Sequence, residues 1–159
     1  PEALGMEYDQ YDTPASRWVA VHDDLGRILA GIRLTPTTAR CGIYSYMIRD
    51  AQNGILDSIP QDLLYDEAPV QENIWESSRV FVAHDTPQNI RRQVHAFLIT
   101  ERTEAARELG AAHVLGLIPA NWPRWARRCG LDATAAGPVM HIDGIDNQCV
   151  SINLVQNLH

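Results

Sequence analysis

Apolar residues in this chain fall into short alternating runs, interrupted by one longer stretch with helical spacing. Ser16 to His22 and Arg27 to Leu34 both alternate, and Asp23-Asp24-Leu25-Gly26 between them has turn composition, so the pair predicts a β-hairpin. In the second run Ile28, Ala30, Ile32 and Leu34 share one face, while Leu29, Gly31 and Arg33 share the other. Tyr44 to Ile59 reads as a short helix or strand followed by a turn, Pro60 to Glu72 as an acidic loop, and Ile74 to Ala83 as a strand. Thr86 as N-cap and Pro87 at the first helical position predict a helix that Gly110 ends, with Ile90, Val94, Phe97, Leu98, Ala105 and Leu109 as its apolar stripe. His113 to Ile118 then predicts a strand, Pro123 to Cys129 a helix, and Val139 to Ile142 with Cys149 to Leu154 a closing strand pair.

One strand breaks its own pattern. Trp75, Val80, Phe81 and Val82 are strand formers, but Glu76 and Arg79 stand among them. Ionised side chains inside a fold are costly unless paired and hydrogen-bonded. Positions three apart on a regular strand face opposite sides, so a site shared by Glu76 and Arg79 requires a bulge that shifts the alternation by one. Two upstream features extend the pattern: Glu7-Tyr8-Asp9-Gln10-Tyr11-Asp12 gathers three carboxylates, and Arg33 sits alone beside Gly31, where a missing side chain suggests close approach to the backbone. Together they read as a charge network.

These residues resemble a known family. The order E-x-D-x-Y-D, G-x-R-L-x-P-T-T and E-x-S-R, standing here as Glu7 to Asp12, Gly31 to Thr38 and Glu76 to Arg79, resembles the acyl-homoserine-lactone synthases, the LuxI-type autoinducer synthases. The resemblance runs loosely from Gly5 to about Leu154. It implies an α/β (α+β) fold of the acyl-CoA N-acyltransferase-like (GNAT-like) kind, a mixed central sheet with a V-shaped splay, flanked by helices. It also implies autoinducer synthesis for quorum sensing, by acyl transfer to S-adenosylmethionine. The chain departs from the pattern at Val80, where the family commonly has phenylalanine, and in the longer Ala39 to Ser45 stretch. Family members usually begin with a segment bearing an arginine and two aromatics that closes over the substrate; none precedes Gly5, so a single domain over residues 1–159 lacking that lid is expected.

Composition narrows the partners. A net charge of −7 argues against nucleic acid, and no apolar run reaches the roughly 18 residues of a membrane helix. With no signal-peptide pattern and three cysteines lacking metal-ligand spacing, a cytoplasmic protein with free thiols and no metal is expected. All 13 basic residues are arginine, which excludes lysine chemistry. Arg91 and Arg92, with Arg124, Arg127 and Arg128, form clusters suited to an acidic acyl carrier protein or to the phosphates of coenzyme A, or else solvated helix faces. The loop His84 to Asn89 contains no glycine to cradle a pyrophosphate, which favours a carrier-protein donor over acyl-CoA.

The resemblance also assigns roles. An ammonium cannot attack a thioester until a base removes its proton, and Glu76 is the expected base. Backbone N–H groups freed by a bulge near Ser77 or Ser78 would stabilise the oxyanion. Asp9, Asp12, Arg33 and Arg79 would hold the sulfonium substrate, braced by Ser78. Leu117, Trp122, Trp125 and Met140 are candidates for the acyl pocket. No cofactor is expected beyond the two substrates. A general N-acyltransferase using acyl-CoA and a different amine, or a non-catalytic relative, are the alternatives.

Overall fold

The computed structural model describes residues 9–155. The expected hairpin is present as β1 (Arg17–His22) and β2 (Ile28–Pro36). A short helix, α1 (Met47–Gln52), precedes β3 (Ile74–Val82), and α2 (Arg91–Glu108) leads to β4 (His113–Pro119). Helix α3 (Trp122–Arg128) is followed by β5 (Asp132–Ala135), β6 (Met140–Ile142) and β7 (Ile145–Asn153). The strands form one mixed sheet in the order β1-β2-β3-β4-β7-β5, with β6 paired to β7. Among the described residues only β3 and β4 run parallel, and they pair over just three positions, Ile74 to Glu76 against His113 to Leu115. Beyond Glu76 the two strands separate, which gives the V-shaped splay of an acyl-CoA N-acyltransferase-like fold.

Strand alternation divides the core between the two faces of the sheet. Ala30, Ile32, Leu34, Trp75, Val114 and Val150 turn toward α2, whose Val94, Leu98 and Ala106 are buried against them. Each fully buried aliphatic side chain there contributes about 1.5–3 kcal/mol of transfer free energy. The opposite face carries Leu115 and Cys149, covered by Tyr46, Ile48 and Ala51 of the α1 region and by Leu63.

Three expectations need correction. Thr86 does not cap α2: its hydroxyl donates to the Leu29 carbonyl at 3.1 Å, so residues 84–90 stay in turns and the helix begins at Arg91. Phe97 lies off the buried stripe, 54% exposed; Val94 and Leu98 are inward as expected, and Arg102 and Ala106 continue their spacing of four. Strand β5 falls where none was expected.

Candidate active site

The bulge that the Glu76 and Arg79 spacing required is present, centred on Arg79 rather than on Ser77 or Ser78. Arg33 pairs with Ser78 and Gly31 with Phe81, so Ile32 alone stands opposite both Arg79 and Val80. Arg79 adopts φ 56°, a left-handed conformation that costs a non-glycine residue about 1–2 kcal/mol. The extra residue returns Phe81 to the face that Glu76 and Ser78 occupy. There its ring packs over Gly31, close enough that a Cβ on Gly31 would stand 2.5 Å from it. The close approach expected at Gly31 is therefore made by Phe81.

Beside the bulge, four of the expected residues form one ionic network. Arg33 is fully buried and its Nη1 lies 2.6 Å from Asp9 Oδ1 and 3.3 Å from Asp12 Oδ1. Arg79 Nε is 3.3 Å from the other oxygen of Asp9. Ser78 Oγ accepts from Arg33 Nε at 3.2 Å, which is the bracing role expected of it. The turn that carries the acids is self-organised: Asp12 accepts from the Asp9 N–H, and Asp9 from the Tyr11 N–H. Burial opposes ionisation of Asp9, but the hydrogen bond from Arg33, the Tyr11 N–H and the charges of Arg33 and Arg79 outweigh it and hold its carboxyl below the ordinary value. Glu7 and Tyr8 of the same motif lie outside the described residues.

Glu76 projects from the same face of β3 but makes no ion pair among the described residues. Its carboxylate instead accepts from the Ile48 N–H at 2.8 Å and the Met47 N–H at 3.4 Å, at the start of α1. Complete burial pushes its carboxyl up to about 7, against the lowering effects of the Ile48 N–H, the Arg33 charge and the Met47 N–H. A carboxyl poised near neutrality is suited to general-base work.

That burial has a stability consequence of definite sign. From the ordinary value of 4.5 up to about 7, folded Glu76 retains a proton that the unfolded chain has released. Its contribution is therefore fully present below the lower value and is lost as pH rises through the upper one. Glu76→Gln removes the titration, so its melting temperature should rise relative to the parent between pH 5 and pH 8, by an amount corresponding to up to about 3 kcal/mol. A difference that stays constant across that range would contradict the burial argument.

Sequence reasoning missed the α1 side of the site. Tyr11 is buried and donates to Asp50 Oδ2 at 2.9 Å, while Asp50 also accepts from the N–H and hydroxyl of Ser45. Burial first, and then the bond to Asp50, push the Tyr11 phenol well above its usual range and keep it protonated. The Arg33 guanidinium lies 5.8 Å from the Tyr11 ring centroid, so Tyr11 ties the ionic network to α1. The i+2 spacing of Tyr11 from Asp9 was available as a signal; Asp50 had none.

On the opposite face of the sheet, the splay between β3 and β4 opens into a cavity of about 370 Å³. Leu117 and Trp122, two of the four acyl-pocket candidates, line it together with Ile99 and Arg102 of α2. Trp125 does not line it but stacks against Trp122, ring centroids 5.2 Å apart, with His95 at 5.4 Å. Met140 also lies elsewhere: it pairs with Asn147, which places it on the Cys149 face among Tyr46 and Ile48. Arg91 is spent on the end of β3, donating to the Ala83 and Val82 carbonyls at 2.9 and 3.4 Å. Arg92, Arg124, Arg127 and Arg128 are exposed, with Arg127 also 3.4 Å from the Ala133 carbonyl.

The splayed mixed sheet, with a buried carboxyl and an ionic network where it opens, defines an acyltransferase of the GNAT-like class. The chain belongs to the autoinducer synthase family, whose profile matches residues 3–143. It is 30% identical over 145 residues to the acyl-homoserine-lactone synthase of Acinetobacter nosocomialis, spanning 87% of this chain and 72% of that protein. A synthase from Ralstonia nicotianae is 31% identical over 144 residues, 87% of this chain and 64% of its own length. Among solved structures, TofI in a ternary complex with an inhibitor and MTA superposes with a TM-score of 0.75 at 28% identity, covering 94% of this chain and 70% of that one. An aminoglycoside 6'-acetyltransferase shares the fold at a TM-score of 0.55 and 12% identity, over 94% of this chain and 76% of its own. No helix among the described residues is long and apolar enough to cross a membrane.

Proposed function

We propose that this chain is an acyl-homoserine-lactone synthase that joins an acyl thioester to S-adenosylmethionine at Glu76. The observation that carries the reading is the buried Glu76 carboxylate, held near neutrality within one strand of the Asp9, Arg33 and Arg79 network. The network offers carboxylates for the cationic amine and sulfonium and guanidinium groups for the carboxylate of the amino acid. Likeness to TofI, described with MTA, supports the same leaving group, methylthioadenosine.

In the first step Glu76 takes a proton from the substrate ammonium, directly or through water, and the free amine attacks the thioester carbon. The oxyanion is received by backbone donors of β3 past Glu76, which β4 no longer pairs. The carbon–sulfur bond then breaks and the thiol leaves with a proton. In the second step the substrate carboxylate attacks its own γ-carbon, the bond to the sulfonium breaks, and methylthioadenosine departs as a neutral thioether. Nucleophile and leaving group belong to one molecule, so the contribution of Arg33, Arg79, Asp9 and Asp12 is orientation. The donor is an acyl carrier protein or acyl-CoA, met by the exposed Arg92, Arg124, Arg127 and Arg128.

The test is to incubate the purified protein with S-adenosylmethionine and a panel of acyl-CoA and acyl-carrier-protein donors. Mass spectrometry should find acylated homoserine lactone and methylthioadenosine in equal amounts. No lactone with any donor sinks the reading, and free thiol without methylthioadenosine would mean thioester hydrolysis or an amide that does not go on to lactonise.

A further inference from the structure

Arg102 has no role in the chemistry above, yet it is the most unusual residue of the cavity. It stands on the inward stripe of α2 between Leu98 and Ala106, 3% exposed, and lines the space opened by the β3–β4 splay. Its Nη1 donates to Ser77 Oγ at 3.3 Å. Nε and Nη2 have no hydrogen-bond partner among the described residues, and no carboxylate there pairs with the guanidinium. Burial lowers its pKa only to about 10, so the group is charged at neutral pH. Burial first, and then the Arg102 charge, hold the His95 imidazole below its ordinary value; Arg79, which also lines the cavity, is engaged by Asp9. A buried cation with two free donors is costly for the protein alone. Nε and Nη2 lie on one edge of the guanidinium, the edge that forms paired hydrogen bonds to oxygen acceptors.

Ser77, which anchors Arg102, is the first β3 residue past the last pair with β4, so Arg102 sits at the narrow end of the splay, close to where Glu76 requires the thioester. We propose that Arg102 is a specificity-determining residue that selects acyl donors bearing an oxygen acceptor, keto or hydroxyl, on the carbons next to the thioester. This rests on the lactone-synthase reading. A wholly hydrocarbon chain would close the cavity over unmatched donors, and sites built to hydrogen-bond a substrate strongly reject analogues that lack the partner.

The experiment compares kcat/KM for donors of one chain length: unsubstituted, 3-hydroxy, 3-oxo and terminally carboxylated. A 3-oxygenated donor should exceed the unsubstituted one by about 100-fold. In Arg102→Met that ratio should collapse to within about threefold, chiefly through loss on the oxygenated donor, while the ligand-free melting temperature holds or rises because an unpaired charge is gone. Arg102→Gln, which keeps an amide donor without charge, should retain an intermediate preference and serves if the Met variant does not fold. The proposal is overturned if the unsubstituted or terminally carboxylated donor is best in the parent, or if the preference survives in both variants. Lactone formation without 3-position preference defeats only this inference, whereas absence of lactone with every donor defeats the function itself.

Discussion

Glu76→Gln should reduce lactone formation by about 10³-fold while changing the affinity for S-adenosylmethionine by less than about threefold. General-base catalysis contributes 10²–10⁴-fold, and the amide is nearly isosteric, so it removes basicity with little change of shape. The variant keeps an oxygen to accept from the Ile48 N–H, the shorter of the two bonds that position the carboxylate. Single-turnover mixing with a saturating acyl donor separates amide formation from binding. The parent rate should fall tenfold per pH unit below about 7, the value to which burial pushes this carboxyl, and that limb should vanish in the variant. A variant with parental turnover, or with lost binding and normal turnover at saturation, would reverse the assignment. Because the same substitution should stabilise the fold at pH 8, a loss of activity could not be attributed to unfolding.

Arg33→Ala should raise the KM for S-adenosylmethionine by about 100-fold and cost about 3 kcal/mol of stability, with a smaller effect on kcat. The guanidinium is completely buried, bonded to Asp9 and Ser78 and within 3.3 Å of Asp12. Removing it leaves two carboxylates facing each other without their cation. Asp9 is 21% exposed, and the water that reaches it keeps the penalty near the low end for buried pairs. Arg33 Nη2 is buried with no partner among the described residues. Urea unfolding at pH 7 measures the stability term, and initial rates against S-adenosylmethionine concentration measure the binding term. Arg33→Lys should not restore binding, since a lysine cannot reproduce the bonds to Asp9 and Ser78 from one planar fork. An unchanged KM in either variant would remove Arg33 from the substrate site.

Much of this arrangement is legible in the sequence where side-chain periodicity and charge conflict. The alternation from Ile28 to Leu34 placed Arg33 opposite the core-facing aliphatics, and the three-residue spacing of Glu76 and Arg79 demanded a bulge that the register of β2 and β3 contains. What stayed hidden depended on contacts between distant segments. The Thr86-Pro87 start is overridden because the Thr86 hydroxyl is used by Leu29, 57 residues earlier. Asp132–Ala135 has little strand propensity and becomes β5 by pairing with the far end of β7. Met140 is assigned to the wrong face unless its partner across the hairpin, Asn147, is known. Arg102 was concealed differently. Its place in the Val94, Leu98, Ala106 series was readable, but an inward-pointing arginine in an apolar stripe is easily discounted as the edge of the polar face.

In the proposed reaction the amine of S-adenosylmethionine meets Glu76 on the Arg33 face of the sheet, and the acyl chain enters from the α2 face through the splay. A crystal structure of the protein with S-adenosylmethionine is the decisive test of this arrangement. The expected complex has the substrate nitrogen about 2.6–3.2 Å from a Glu76 oxygen, or one water away, and its carboxylate on Arg33 or Arg79. Substrate bound with its amine remote from Glu76, or lodged in the α2-face cavity beside Arg102, would overturn the assignment of Glu76 as the base.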